Sequence, residues 1–270
     1  MGGLRQFSIT LRLALCLSLT SLYGQGREDF TLPKLSPEES AKVLADVRGA
    51  RLGADVCFRF ETVHRPRRGE QSPPVKGLLW AGTRGDTHLI RIEMQDQAAT
   101  RILARKSPSG SAVSVRAAGA TVTVAPGSFK ALSPGLLVSA FDLQLPFTHW
   151  PDVRYVATER GRRPMHVFTA KREDFAGEVS FGVDRAYGAI LQATVRSPDD
   201  KALRTLAVED FAKAGDQWVI GTCSIRDELS RDTDLLRFTE AALGLRLDDS
   251  IFTEGSLQAP ATPSGNFLPL

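Results

Sequence analysis

Alternation of apolar and polar residues is the feature that most constrains the fold of this chain. From Asp55 onward the side chains alternate with period two, as Phe58 and Phe60 do with Cys57 and Arg59. Similar segments recur about every 10 to 15 residues, with Gly, Asp and Pro at the turns between them. Such short turns join antiparallel neighbours. The pattern predicts one domain built on a large antiparallel sheet or barrel of about 11 strands.

Two segments depart from this alternation. The run Ser36-Pro37-Glu38-Glu39 has a capping residue, a proline at the first helical position and a glutamate three residues after the cap, so it predicts a helix to about Arg48. Residues 128–150 are strongly apolar without strict alternation, and Ser133-Pro134 is expected to start a helix there. This segment is either a core plug or a movable lid over a ligand cavity. The plug is favoured because most apolar segments are core.

The two ends of the chain are expected to lie outside the domain. Residues 1–26 carry Arg5 and Arg12, then an apolar run and small residues, which is the order of a cleaved secretory signal peptide. Lipidation at Cys16 is disfavoured because Leu15 is too large for the residue before an acylated cysteine. The chain is therefore expected in the periplasm, with a single domain over residues 27–254. The Pro/Ser/Gly-rich residues 255–270 are expected to form a mobile tail.

Charge and cysteine content narrow the function classes. The formal charge of +3 falls to +1 without Arg5 and Arg12, so no basic field indicates nucleic-acid binding. The local clusters at residues 65–68 and 162–163 are interpreted as solvated loops. Cys57 and Cys223 lie in predicted strands of an exported protein, and they could form a disulfide or remain two buried thiols.

Local signatures of catalysis are missing from the sequence. It contains no His-Glu-x-x-His, no Gly-x-Ser-x-Gly, no phosphate loop and no Cys-x-x-Cys. The four histidines lie in separate segments without metal-ligand spacing. Asp142 near His149 is the best acid and imidazole combination, but no nucleophile accompanies it. We therefore expect no catalytic residue, metal or cofactor, and a monomeric binding protein.

A family resemblance rests on the centre of the chain and its C-terminal half. The run FDLQLPFTHW at residues 141–150, followed by Tyr155 and then GRRP at residues 161–164, resembles a motif block of the LolA-like superfamily of periplasmic lipoprotein-sorting proteins. Further matching runs follow in the same order at residues 183–193, 218–220 and 226–228. The resemblance covers most of the chain from Asp55 to Phe252.

The resemblance implies an α+β fold in which an incompletely closed half β-barrel is covered by helices, as in LolA and LolB. Its apolar cavity would hold lipoprotein acyl chains or another lipid, and inner- or outer-membrane proteins would be its partners. The alternatives are a sensor or scaffold that binds an envelope protein through the same fold, and a hydrolase with a dispersed site. Since fold does not determine function, the carrier is the leading hypothesis only.

The carrier hypothesis assigns roles to named residues, each of which also has the plainer interpretation of core packing. The expected cavity walls are Phe58, Phe60, Leu78, Trp80, Ile90 and Ile92. The expected closing residues are Leu136, Leu137, Phe141, Phe147 and Trp150. In the resembling carriers an arginine ties the lid shut, and the candidates for it here are the strand residues Arg59 and Arg91.

Overall fold

Every period-two segment forms a β-strand in the computed structural model, which describes residues 32–50, 52–107, 110–160 and 163–270. The predicted signal peptide with Cys16, and Gly161 and Arg162 of the resemblance, lie outside these residues. The strands are β1 (Asp55–Arg65), β2 (Val75–Arg84), β3 (Thr87–Met94), β4 (Arg101–Ser107), β5 (Gly110–Ala117), β6 (Ala120–Val124), β7 (Asp152–Arg160), β8 (Pro164–Lys171), β9 (Glu178–Asp184), β10 (Ile190–Arg196), β11 (Ala202–Ala214), β12 (Gln217–Asp227), β13 (Thr233–Leu245) and β14 (Leu268–Pro269).

The 14 strands of the described residues belong to one antiparallel sheet, compared with about 11 predicted from the sequence. The order is β6-β5-β4-β3-β2-β1-β13-β12-β11-β10-β9-β8-β7, with β14 beside β13. Two meanders, β1–β6 and β7–β13, are thus joined where β1 pairs with β13. Within the described residues β6 and β7 are edge strands that do not pair with each other, so the sheet is an open half-barrel. The predicted fold class is confirmed.

The connection from β6 to β7 leads from one edge of the sheet to the other. We call residues 125–151 the crossing segment. It contains helix α2 (Ala140–Gln144) and a 3₁₀ turn (Pro146–His149). The helix begins at Ser139, whose hydroxyl accepts a hydrogen bond from the Asp142 amide. The predicted helix start at Ser133-Pro134 is wrong, because there the chain makes only a turn, with the Leu136 amide donating to the Ser133 carbonyl.

The N-terminal helix α1 (Pro37–Gly49) has the predicted bounds and cap. The Ser36 hydroxyl accepts from the Glu39 amide, and the Glu39 carboxylate accepts from the Ser36 amide. Its apolar stripe, Val43, Leu44 and Val47, packs on the aromatic cluster described next. None of the helices in the described part of the chain is long and apolar enough to cross a membrane.

The sheet has two covered faces with different partners. The inner face packs on the crossing segment in two clusters, one around Phe60 and Ile102 and the other around Phe168 and Phe181. The outer face of β1–β4 packs on residues 247–261 through a third cluster that contains Trp80 and Leu257. Because alternate residues of a strand face opposite sides, one strand serves both cores.

The C-terminal residues 255–270, expected to be mobile, are instead ordered against the sheet. Leu257 is fully buried, and the backbone of β14 pairs with β13 from Glu240 to Ala241. The prediction failed because composition alone does not reveal that outer-face arginines bind the carbonyl groups of this segment. Arg101, for example, donates to the Leu257 carbonyl oxygen at 3.1 Å.

Cys57 and Cys223, the two cysteines among the described residues, are free thiols on opposite faces of the sheet. Cys57 belongs to the outer-face cluster, whereas Cys223 pairs with Leu236, which packs on the inner-face cluster. Burial raises the pKa of each thiol to about 12. The alternative of a Cys57–Cys223 disulfide is therefore excluded, because the sheet itself separates the two side chains.

Candidate ligand-binding cavity

Strands β12 and β13 separate over half of their length, and a cavity lies beside this gap. Their backbones pair only between Thr222–Arg226 and Thr233–Arg237. Beyond this point β13 pairs with β14 instead, while the first half of β12 pairs with β11 alone. Residues from both sides of the gap, Ile220 and Phe238, line a cavity of about 610 Å³.

This cavity, which we call the aromatic cavity, is lined mainly by apolar side chains. Its walls come from β1, β2, β11, β12, β13 and the β9–β10 turn. They are Leu52, Val56, Phe58, Leu79, Ala81, Tyr187, Ala189, Phe211, Trp218, Val219, Ile220 and Phe238, with Arg163 as the charged member. The volume falls in the range of about 300–1,000 Å³ typical of ligand sites.

Large aromatic side chains stand at the mouth of the aromatic cavity. Trp218 is 53% exposed and Tyr187 is 56% exposed although both line it. The Arg163 guanidinium lies 4.8 Å from the centre of the Tyr187 ring and pairs with Asp184. Exposed apolar groups at the rim of an apolar cavity are typical of a binding site rather than of a closed core.

A second cavity of about 520 Å³ adjoins the first, and Leu52, Ala81 and Ile220 line both. Its apolar lining includes Ile90 and Leu143. Unlike the aromatic cavity, it also contains a basic cluster of Arg48 from α1, His88 from β3, Lys106 from β4 and His149 from the 3₁₀ turn. We call this space the basic cavity.

Three members of the basic cluster lack a carboxylate partner in the part of the chain that the structure describes. No ion pair among the described residues involves Arg48, Lys106 or His149, and burial lowers the pKa of Lys106 to about 8. Burial, followed by repulsion from Lys106, Arg48 and His88, lowers the pKa of His149 to about 4. Lys106 is thus mostly charged and His149 neutral at pH 7.

The crossing segment is anchored beside these cavities by a buried arginine that sequence reasoning missed. Arg204 of β11 donates from Nε to Asp142 Oδ1 at 2.9 Å and from Nη2 to Asp142 Oδ2 at 2.5 Å. It also donates to the Leu137 carbonyl oxygen at 2.6 Å. The opposite strand β13 contributes Asp234, which accepts from the amides of Leu137 and Val138.

The basic cluster itself holds the other end of the crossing segment. Arg48 Nε donates to the Thr148 carbonyl oxygen at 2.6 Å, and Lys106 Nζ donates to Thr148 Oγ1 at 3.1 Å. Lys106 also reaches the Leu145 carbonyl oxygen at 3.5 Å. These contacts hold the C-terminal end of α2 and the 3₁₀ turn against the basic cavity.

Neither of the predicted tethers contacts the crossing segment. Arg59 lies on the outer face, where it pairs with Glu240 and stacks on Phe267. Arg91 is also on the outer face, and it binds Glu93 together with the carbonyl oxygens of residues 251, 256 and 259. Both are therefore corrected: Arg91 holds the C-terminal segment, and Arg204 holds the crossing segment.

The predicted cavity residues separate into three groups. Phe58 lines the aromatic cavity and Ile90 lines the basic cavity. Leu78 and Trp80 lie on the outer face, so their assignment to the cavity is corrected: the cavity takes the alternate residues Leu79 and Ala81. The remaining residues, Phe60, Ile92, Leu136, Phe141, Phe147 and Trp150, are buried in the inner core, and Leu137 is half-buried beside Arg204.

A signal for Arg204 was present in the sequence. Arg204 has the same parity as Leu206 and Val208 along β11, so it is an arginine on the apolar side of a strand. Such a residue needs a buried partner. Asp142, noted beside His149 as a combination of acid and imidazole, is that partner and does not bind His149.

A larger cavity of about 960 Å³ lies near Arg84 and Asp249. Arg84, which lines this cavity, already binds Asp55, Asp249 and the Leu247 carbonyl oxygen, so its charge has partners within the protein. We therefore do not consider it the ligand site. In the part of the chain that the structure describes, no three His, Cys, Asp or Glu side chains come together as a metal site.

Comparison with solved structures places this geometry among known folds. A DUF1329 family protein from Desulfovibrio piger matches with a TM-score of 0.69 at 12% identity, covering 82% of this chain and 98% of its own. A LolA superfamily protein from Nitrosomonas europaea matches with a TM-score of 0.59 at 15% identity, covering 80% of this chain and 98% of its own. The fold is LolA-like.

A third structure with the LolA-like fold is a domain from Vibrio parahaemolyticus named as a candidate outer membrane lipoprotein-sorting protein. It matches with a TM-score of 0.67 at 14% identity, covering 80% of this chain and 97% of its own. No protein-family model and no curated protein sequence matches the chain. At these identities the comparisons show the LolA-like fold alone.

Proposed function

We propose that this protein is a periplasmic binding protein that holds an acyl chain in the aromatic cavity and takes part in outer-membrane lipoprotein sorting. The observation that carries the proposal is the apolar aromatic cavity of about 610 Å³, whose lining residues Trp218 and Tyr187 are more than half exposed to solvent. The name of the Vibrio parahaemolyticus domain supports the sorting role. The proposed role is binding, without catalysis.

The physical basis is the transfer of methylene groups from water to the cavity. Burial of each methylene contributes about 0.8 kcal/mol, so a long alkyl chain binds without a specific polar partner. The inner core around Phe181 and Phe60 is filled by the crossing segment. The ligand would therefore occupy the aromatic cavity with the crossing segment still in place.

Native mass spectrometry with lipid extraction tests the proposal. The protein purified from a Gram-negative periplasm is expected to carry lipid, and Phe58→Asp is expected to lower the bound fraction at least about tenfold, since it puts a carboxylate into the cavity. Val122→Asp is the matched control, because Val122 is 55% exposed on β6, away from the cavity. It should retain the lipid.

Two results would contradict the proposal. One is a protein that stays empty after challenge with lipid, which would favour the alternative of a scaffold for a partner protein. The other is equal loss of lipid in Phe58→Asp and Val122→Asp at unchanged folding, which would place the lipid outside the aromatic cavity. Circular dichroism of both variants checks that the sheet is intact.

A further inference from the structure

Two cations, Arg48 from α1 and Lys106 from β4, line the basic cavity beside the aromatic cavity. His88 from β3 and His149 from the 3₁₀ turn complete its polar lining. Among the described residues no carboxylate pairs with Arg48 or Lys106, whereas the buried arginines 91 and 204 each have one. Cations collected in a partly apolar cavity are disfavoured unless an anion compensates them.

A buried amide beside this cluster also lacks a partner. Gln144 is 2% exposed and lines the basic cavity, and its Oε1 has no hydrogen-bond partner in the described part of the chain. Oxygen and nitrogen of a side-chain amide exchange places by a half-turn, so the NH₂ group can be presented at the same position. As placed, Oε1 can only accept a hydrogen bond, so an anion becomes the partner of this amide once the half-turn brings the NH₂ group to the same position.

From these two observations we infer that the ligand is an anionic amphiphile, with one carboxylate or phosphate group in the basic cavity and its alkyl chain in the aromatic cavity. The inference rests on the proposed function and names its ligand class. Lys106 Nζ and the Gln144 amide bind the anionic group. The shared wall of Leu52, Ala81 and Ile220 is where the alkyl chain passes from one cavity to the other.

Three ligands with the same twelve-carbon chain test the inference: laurate, dodecyl phosphate and uncharged 1-dodecanol. Isothermal titration calorimetry at pH 7 is expected to show tighter binding of at least one anion than of dodecanol. Lys106→Met, which removes the charge at nearly constant shape, is expected to weaken that anion about 10- to 100-fold and to leave dodecanol unchanged. Lys106→Arg is the control and should retain the preference.

The wild-type protein provides a second readout that needs no variant. Besides Gln144, the groups facing Lys106 are Arg48 from α1, His88 from β3 and His149 from the 3₁₀ turn. Because burial lowers the pKa of Lys106 to about 8, anion affinity should fall as the pH rises from 7 to 10. Over that range His149, with its pKa of about 4, stays neutral. Dodecanol affinity should stay constant.

The outcomes separate the two claims. Anion preference that disappears in Lys106→Met supports the inference, and the better of laurate and dodecyl phosphate identifies the head group. Equal binding of all three ligands with a flat pH profile overturns the inference but leaves acyl-chain binding standing. Failure of all three to bind overturns both. If Lys106→Met does not fold, the pH profile of the wild type decides.

Discussion

Replacing Arg204 with methionine is expected to lower the free energy of unfolding by about 3–5 kcal/mol. The substitution keeps the apolar stem but leaves the Asp142 carboxylate buried without its cation, and it removes the donor to the Leu137 carbonyl oxygen. Chemical denaturation followed by circular dichroism measures the change. The crossing segment should also become sensitive to proteolysis near Leu137, because Arg204 is one of its main anchors.

Two further variants show whether this cost comes from the buried charge. Adding Asp142→Asn to Arg204→Met removes the stranded carboxylate while keeping an acceptor for the Ser139 cap, and it should restore part of the stability. Arg154→Met breaks an exposed ion pair, because Arg154 pairs with Asp152 and its side chain is 77% exposed. This variant should lower the free energy of unfolding by at most about 1 kcal/mol. Equal costs for Arg204→Met and Arg154→Met would refute the anchoring role.

Arg91→Met is expected to release the C-terminal segment from the outer face of the sheet. The guanidinium donates to the carbonyl oxygens of Ile251, Ser256 and Ala259, and it pairs with Glu93 at 2.5 Å. Hydrogen-exchange mass spectrometry should show loss of amide protection in residues 251–261. The free energy of unfolding should fall by about 3–5 kcal/mol, because Glu93 is left buried and unpaired.

The matched control for this prediction is Arg59→Met, also on the outer face. The Arg59 side chain is 50% exposed and its partner Glu240 is 41% exposed, so the pair should contribute at most about 1 kcal/mol. Residues 251–261 should keep their protection in this variant. Unchanged protection of residues 251–261 in Arg91→Met would contradict this role of Arg91 and would show that the remaining contacts, such as the burial of Leu257 and the Arg105 bond to the Phe252 carbonyl oxygen, hold the segment.

The sheet was predictable from the sequence because its signal is local. Period-two alternation and turn residues located most strands of both meanders, and the Ser36 cap located α1. The face that each residue occupies was harder to predict. Both faces of β2 are covered by other parts of the chain. Leu78 and Trp80 on the outer face are therefore as apolar as Leu79 and Ala81 on the inner face. Alternation therefore could not indicate which set lines the cavity.

Contacts between residues that lie far apart in the chain could not be predicted from the sequence. The basic cavity unites residues 48, 88, 106 and 149, and their approach depends on how the crossing segment returns over the inner face. The C-terminal tail was expected to be mobile because its composition is rich in Pro, Ser and Gly. Its order depends on arginines more than 140 positions earlier in the chain, such as Arg101, which donates to the Leu257 carbonyl oxygen.

Photoaffinity labelling tests most directly whether an acyl chain occupies the aromatic cavity. A fatty acid with a diazirine near the end of its chain would be photolysed with the protein, and the labelled peptides would be mapped by mass spectrometry. We predict label in β1 and in the first half of β12, around Phe58 and Ile220, and competition by unlabelled laurate. Label confined to the outer face at residues 247–261, or label that laurate does not displace, would contradict it.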